Sequence, residues 1–286
     1  MNLGGKILIW LRPEAWARRL LGLWRVPRLE DLTSETERAF CLRELEDARK
    51  NCGFVALSGF FRWRLMLGMV RSIGRPLRIL DVGCAFGDLA LELAEAGHEV
   101  VASDLRGEVL EYSKRRYRRG SIRWVCANAE KLPFARVFDL VILGELVEHA
   151  AHPDRILSSA ASVVTPGGHL LITTPNWHCF SNRLPSYGQT GDAGELESKQ
   201  YRPDGDGHLF LFKAGELEAL VRKAGLQPGP VRYHSSPFAN GSAKFRYVGR
   251  YLPVGILQFL EGVVRRLPRV RSRLCSGLTI VARVPN

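Results

Sequence analysis

Two acidic residues stand where apolar runs give out. Asp81 ends RILD and is followed by Gly83, Ala85 and Gly87; Asp104 ends VVASD roughly 20 residues further on. A glycine turn between a strand and a helix commonly offers backbone N–H groups to a phosphate. Asp81 argues against that ligand, because a carboxylate a few Å from a like charge is disfavoured by roughly 1–4 kcal/mol at effective dielectrics of 80 to 20, and favours an ammonium or sulfonium by as much. The spacing D-x-G-x-A-x-G also departs from the dinucleotide pattern G-x-G-x-x-G. An acid in the place of Asp104 can hold both hydroxyls of a ribose, and Asn128, Ala129 and Glu130, after the next β-rich run, can meet an adenine edge. A nucleoside with free ribose hydroxyls and a cationic, phosphate-free tail is S-adenosylmethionine.

Transfer of the sulfonium methyl is an in-line displacement, so the protein mainly positions the acceptor and excludes water; a hydroxyl acceptor also needs a base. His149, in the pair Glu148-His149 after the run FDLVILGE, is the first candidate, since an imidazole pKa of about 6.5 suits proton removal at neutral pH. The plainer alternative is that the pair only shapes the loop before Pro153. His178, Tyr187 and His208, in the polar stretch before the helical pattern at Lys213, are secondary candidates. No C-x-x-C pair or His/Cys cluster at ligand spacing appears, so no metal is expected.

The elements that must hold these residues alternate. LRIL, HEVVASD, IRWVCAN, FDLVILGE and GGHLLITTP are β-rich; LALELAEAG, GEVLEYSKRR and PDRILSSAASVV carry helical spacing. Such alternation predicts an α/β fold, a Rossmann-like, doubly wound, mostly parallel sheet whose ligands bind at the carboxyl ends of the strands.

Taken in order, ILDVGCAFG, VVASD, CANAEKLPF, FDLVILGELVEH, VVTPGGHLLITTPN and HLFLFKAGELEALVRKAGL resemble the class I S-adenosylmethionine-dependent methyltransferases, most closely the group that includes quinone-biosynthesis and small-molecule enzymes. The resemblance covers residues 77–226. It implies a seven-stranded sheet in which SGLTIVARV forms the antiparallel terminal strand. It makes Asp81, Gly83, Ala85 and Gly87 the cofactor loop, Asp104 and Leu105 the ribose edge, Asn128, Ala129 and Glu130 the adenine region, and Gly144 and Glu145 the floor under the methionine part. Ala85 replaces the usual glycine, and Asn128 a frequent aspartate.

Composition bounds the rest. With 286 residues and 46% hydrophobic content, the chain is expected to build one large core, with a helical cap region at 1–70 and a methyltransferase domain at 71–286 carrying an acceptor lid at 176–208 and a basic apolar insertion at 238–274. The net charge of +12 resides in residues 1–30 and 238–286, while the middle is balanced. Trp16, Leu20, Leu23 and Trp24 share one face of a helix opened at Pro13, and Arg265, Arg266, Arg269 and Arg271 lie among apolar residues. These flanks suggest contact with an anionic membrane surface or a lipid-like acceptor, or else a simple helical cap. The scattered cysteines fit a cytoplasmic protein. Competing readings are an RNA methyltransferase, disfavoured at one point because GELVEH stands where base-amine enzymes carry an Asn/Asp-Pro-Pro-aromatic turn, and a cofactor-binding interaction protein without catalysis.

Overall fold

The computed structural model describes residues 54–74, 76–191, 193–200, 207–240, 252–268 and 270–286. Within them the apolar runs are strands: β1 (Arg78–Val82), β2 (Glu99–Asp104), β3 (Ser121–Cys126), β4 (Phe138–Gly144), β5 (Val164–Pro175), the short β6 (Gln227–Pro228) and β7 (Arg232–His234), and β8 (Gly277–Arg283). The helices are α1 (Phe54–Ile73), α2 (Asp88–Glu95), α3 (Gly107–Arg116), α4 (Pro153–Val163), α5 (Ala193–Glu197), α6 (Ala214–Lys223), α7 (Pro237–Asn240), α8 (Val254–Arg266) and α9 (Arg271–Leu274).

The sheet order is β3-β2-β1-β4-β5-β8-β6, with β7 also paired to β8. Strands β1 to β5 run parallel, and β8 lies antiparallel against β5, with Ile172 opposite Ile280. The implied antiparallel terminal strand is therefore present, and β6 and β7 extend the sheet to eight strands. Helices cover both faces, which is why β1 carries apolar residues on both sides: Ile79, Leu80 and Val82 are at most 1% exposed. One face packs on α4 and α6 through Ile156, Leu157, Leu217 and Val221; the other packs on α1 and α2 through Met66, Val70, Ala90 and Leu93.

The expected boundary at 70–71 falls inside α1. Met66, Met69 and Val70 of this helix are buried against Ile79, Leu140 and Leu171, each such side chain contributing roughly 1.5–3 kcal/mol of burial. α1 is thus a layer of the sheet domain. The helix expected from Pro13, with Trp16 and Trp24, lies outside the described residues.

The 176–208 stretch, where described, is tied down by backbone. Trp177 donates to the Phe212 carbonyl, Tyr187 to that of Leu211, and Leu211 to that of Pro185, forming two isolated bridges to residues 211 and 212. A segment laid on the core must pair its N–H and C=O groups, and these bonds do so. Strand order reverses between β1 and β4, so the ends of β1, β2, β4 and β5 open on one crevice.

Candidate functional site

The glycine loop leaves β1 at Val82 and enters α2 at Asp88. Gly87 is left-handed (φ 70°), and a Cβ there would come within 2.6 Å of the Trp124 ring, so both conformation and space demand glycine. Ala85 is left-handed too, at φ 46°, a region that costs a side-chain-bearing residue roughly 1–2 kcal/mol. Its surroundings hold it there. The Ala85 N–H donates to Asp104 Oδ2 at 3.0 Å, and its carbonyl accepts from Ser113 Oγ at 3.3 Å. Arg116 of α3 is 4% exposed; it donates to the Phe86 carbonyl at 2.6 Å and pairs with Asp88. The loop is therefore braced by residues of α3, which local sequence gave no reason to select.

Asp104 is the centre of this brace. Its Oδ2 accepts from Ala85, and its Oδ1 accepts from the Arg106 N–H at 3.0 Å and from Arg106 Nε at 3.3 Å. Carboxylate oxygens have further lone pairs, so a ribose hydroxyl can join these donors. Leu105, 46% exposed, forms the adjoining edge. After β3, where the adenine was expected, Asn128 Oδ1 accepts from the Glu130 N–H at 2.9 Å, capping the turn Ala129–Lys131, and Glu130 stands 3.6 Å from Arg155. Both residues thus shape the turn, leaving the Asn128 amide nitrogen and the backbone for a ligand.

Asp81 sits at the lip, 4% exposed, paired in register with Ala102 and Ile142. Burial, and then the charge of Asp104, push its pKa up to about 7 from 3.8. An unfolded Asp81 ionises near 3.8, so folding takes up a proton between the two values, and the cofactor-free protein loses stability as pH rises through about 7. A cationic ligand reverses the preference. Cofactor affinity should therefore rise with pH from about 6 to 8, with a proton released on binding; calorimetry in buffers of different ionisation enthalpy measures this. Asp81→Asn should flatten the profile and weaken binding about tenfold at pH 8, while stabilising the cofactor-free fold. An unchanged profile would remove Asp81 from the site.

At the end of β4 the chain turns through Glu145, left-handed at φ 52°, whose N–H donates to the Thr173 carbonyl. Gly144 lies under α1, where a Cβ would touch the Met66 methyl at 3.6 Å. Glu145 Oε2 is 3.1 Å from Arg62 of α1. Burial would raise the pKa of Glu145, but Arg62 foremost, with His234, outweighs it and holds the carboxyl below its usual range. Glu145, expected as floor beneath the cofactor, is thus also tied to α1. Arg62 went unforeseen, because nothing near it in sequence marks it as facing the crevice.

Glu148 is fully buried; its Oε2 accepts from Thr174 Oγ1 at 2.9 Å and its carbonyl from the Leu209 N–H at 2.9 Å. Burial, reinforced by Glu145, raises its pKa well above the carboxylate range. Its Oε1 has no hydrogen bond, yet His149 Nε2 and His208 Nε2 each stand 3.9 Å away. The two imidazoles meet edge to face at 4.8 Å. Burial lowers the pKa of His208, against the opposing charge of Glu145. The three ligand atoms lie within 4.8 Å of one another, a carboxylate with two imidazoles, which also suits a divalent cation. The spacing argument against a metal missed this cluster because His208 comes from a distant segment. His178 is exposed against Trp177, and Tyr187 packs on Phe210 and Phe212; neither joins the cluster.

Residues 80–172 match the methyltransferase-domain family. A ubiquinone biosynthesis O-methyltransferase of Xanthomonas axonopodis pv. citri is 32% identical over 160 residues, 52% of this chain and 62% of that protein; the bifunctional biotin biosynthesis protein BioHC of Cellvibrio japonicus is 27% identical over 173 residues, 56% of this chain and 32% of that one. The match thus spans under two thirds of the length of either relative. Among solved structures, phosphoethanolamine N-methyltransferase 2 of Haemonchus contortus, in complex with S-adenosylmethionine, superposes with a TM-score of 0.51 at 17% identity, over 78% of this chain and 53% of that one. The cyclase SpnF does so at 0.51 and 19% identity, over 78% and 81%. Those likenesses show the fold, which a cyclase shares, so the reaction must be argued from the site. Residues 80–172 thus match a methyltransferase domain, the chain is similar over 160 residues to an O-methyltransferase of ubiquinone biosynthesis, and S-adenosylmethionine is the cofactor those likenesses support.

Proposed function

We propose that this protein transfers the methyl group of S-adenosylmethionine to a small or amphiphilic acceptor, at oxygen. The observation that carries the reading is the cluster of Glu148, His149 and His208 at the end of β4, beside the crevice that Asp81, Asp104 and the glycine loop open. Asp104 and Leu105 hold the ribose, the turn at Asn128 the adenine, and Asp81 the ammonium. His149 takes the hydroxyl proton as the oxygen attacks the methyl carbon and the methyl–sulfur bond breaks, leaving S-adenosylhomocysteine; Glu148 is hydrogen-bonded to Thr174 and fixes the chain on which His149 stands. Removing water from this crevice and aligning the acceptor supply most of the acceleration, since the sulfonium already activates the carbon.

Methyl transfer from labelled cofactor to fractionated lipids, soluble metabolites and RNA tests the reading. Label in a small or amphiphilic molecule supports it; label in RNA alone replaces it with the nucleic-acid reading; cofactor binding without any transfer supports an interaction protein. The cation-suited geometry of the cluster favours a second reading, in which a divalent ion lowers the acceptor hydroxyl's pKa. Chelation followed by metal addition separates the two, because a His149 base needs no metal. The basic flanks suit peripheral attachment to an anionic membrane in the cytoplasm. Among the described residues no helix is long and apolar enough to cross a bilayer.

A further inference from the structure

Between α1, β7 and α8 lies a cavity of about 460 Å³, outside the cofactor loop and the acceptor cluster. Its wall is divided. Phe61, Leu65 and Met69 of α1 make one side apolar; Arg64, Arg232 and Arg265 make another cationic, and Ser72 adds a hydroxyl. Glu261 also lines the cavity, but it is 2% exposed and its two oxygens accept from the backbone N–H groups of Ser235 and Ser236, each at 2.8 Å. That carboxylate holds the turn after β7 in place, including Ser235 at φ 60°. The guanidiniums of Arg232 and Arg265 make no hydrogen bond or ion pair among the described residues. Two guanidiniums lining one recess repel each other until an anion joins them, and oxyanions of phosphate match their donor geometry.

The same helix says where that phosphate comes from. On its other flank α8 exposes Ile256 (46%), Phe259 (69%) and Val263 (38%) at i, i+3 and i+7, and the stripe continues in Leu267 and Val270. A soluble phosphate would use the arginines and leave this stripe in water. A phospholipid uses both, with its headgroup in the recess and its neighbours' chains around Phe259. We propose that the cavity between α1 and α8 receives the phosphate of an anionic phospholipid headgroup and seats the protein on the membrane. This rests on the peripheral-attachment reading above and gives it a defined site.

The test uses the full chain, with vesicles of phosphatidylcholine, vesicles of phosphatidylcholine with phosphatidylglycerol, and inorganic phosphate. The wild type should prefer the anionic vesicles, and added salt should reduce that preference. Arg232→Gln/Arg265→Gln should lower affinity for anionic vesicles about tenfold or more, whereas Arg118→Gln/Arg222→Gln, the same loss of charge at exposed positions remote from the cavity, should lower it less than about threefold. Phe259→Ser should weaken binding to both vesicle types. Cofactor binding, followed by calorimetry in the same samples, should be unchanged in every variant, so failure of the lipid site is distinguishable from failure of the methyltransferase reading. Equal losses in the two double variants would overturn the proposal, as would inorganic phosphate binding that needs Arg232 and Arg265 without any vesicle preference.

Discussion

Asp104→Ala should bind S-adenosylmethionine on the order of 100-fold or more weakly than the wild type, by calorimetry, in a protein that still folds. Each charge-assisted hydrogen bond from a ribose hydroxyl to this carboxylate is worth roughly 1.5–3 kcal/mol, and both are lost together. The structure adds a second cost. Without Asp104 the Ala85 N–H loses its acceptor and Arg106 its anchor, so the loop that must meet the cofactor is no longer held in its left-handed turn. Asp104→Asn separates the two contributions, because its amide oxygen can still accept from one of these donors. It should recover part of the affinity if loop bracing matters, and none if only the charge does. Unchanged affinity in folded Asp104→Ala would remove this residue from the cofactor site.

His149→Ala should keep cofactor affinity within about twofold and lose methyl transfer by on the order of 100-fold or more, the usual contribution of a positioned base. The separation of binding from turnover follows from position: His149 stands beyond the end of β4 beside Glu148 and His208, whereas the loop braced by Asp104 lies between β1 and α2. His208→Ala is the informative companion. If His149 alone takes the proton, His208→Ala should cost less than about tenfold and leave the pH dependence of turnover in place. A larger loss with an altered pH profile would give His208 the proton. Near wild-type turnover in both variants would leave the cluster structural.

The order of strands and helices was legible because buried parallel strands demand largely apolar runs and surface helices demand a 3.6-residue stripe, and RILDV, FDLVILG and PDRILSSAASV satisfy those demands locally. The cofactor side was legible for a related reason. Asp81, the glycines and Asp104 lie at the ends of adjacent strands, so chain order already places them near one another. The chemistry of the acceptor side was legible only in part: His149 follows β4, but its partner His208 enters from a segment that nothing in the local pattern directs there. Tertiary structure alone brought Arg62 to Glu145, Arg116 to the glycine loop and Arg265 to the wall of a cavity with Arg232. Arginine is long, charged and common on surfaces, so its sequence position carries little information about where its guanidinium ends; that depends on which helix packs over which strand end. What the residues determined by themselves is a parallel sheet whose strand ends carry the acids proposed to hold a cationic nucleoside. Packing decided which distant side chains complete that site, and which of the many arginines on this basic chain share a recess.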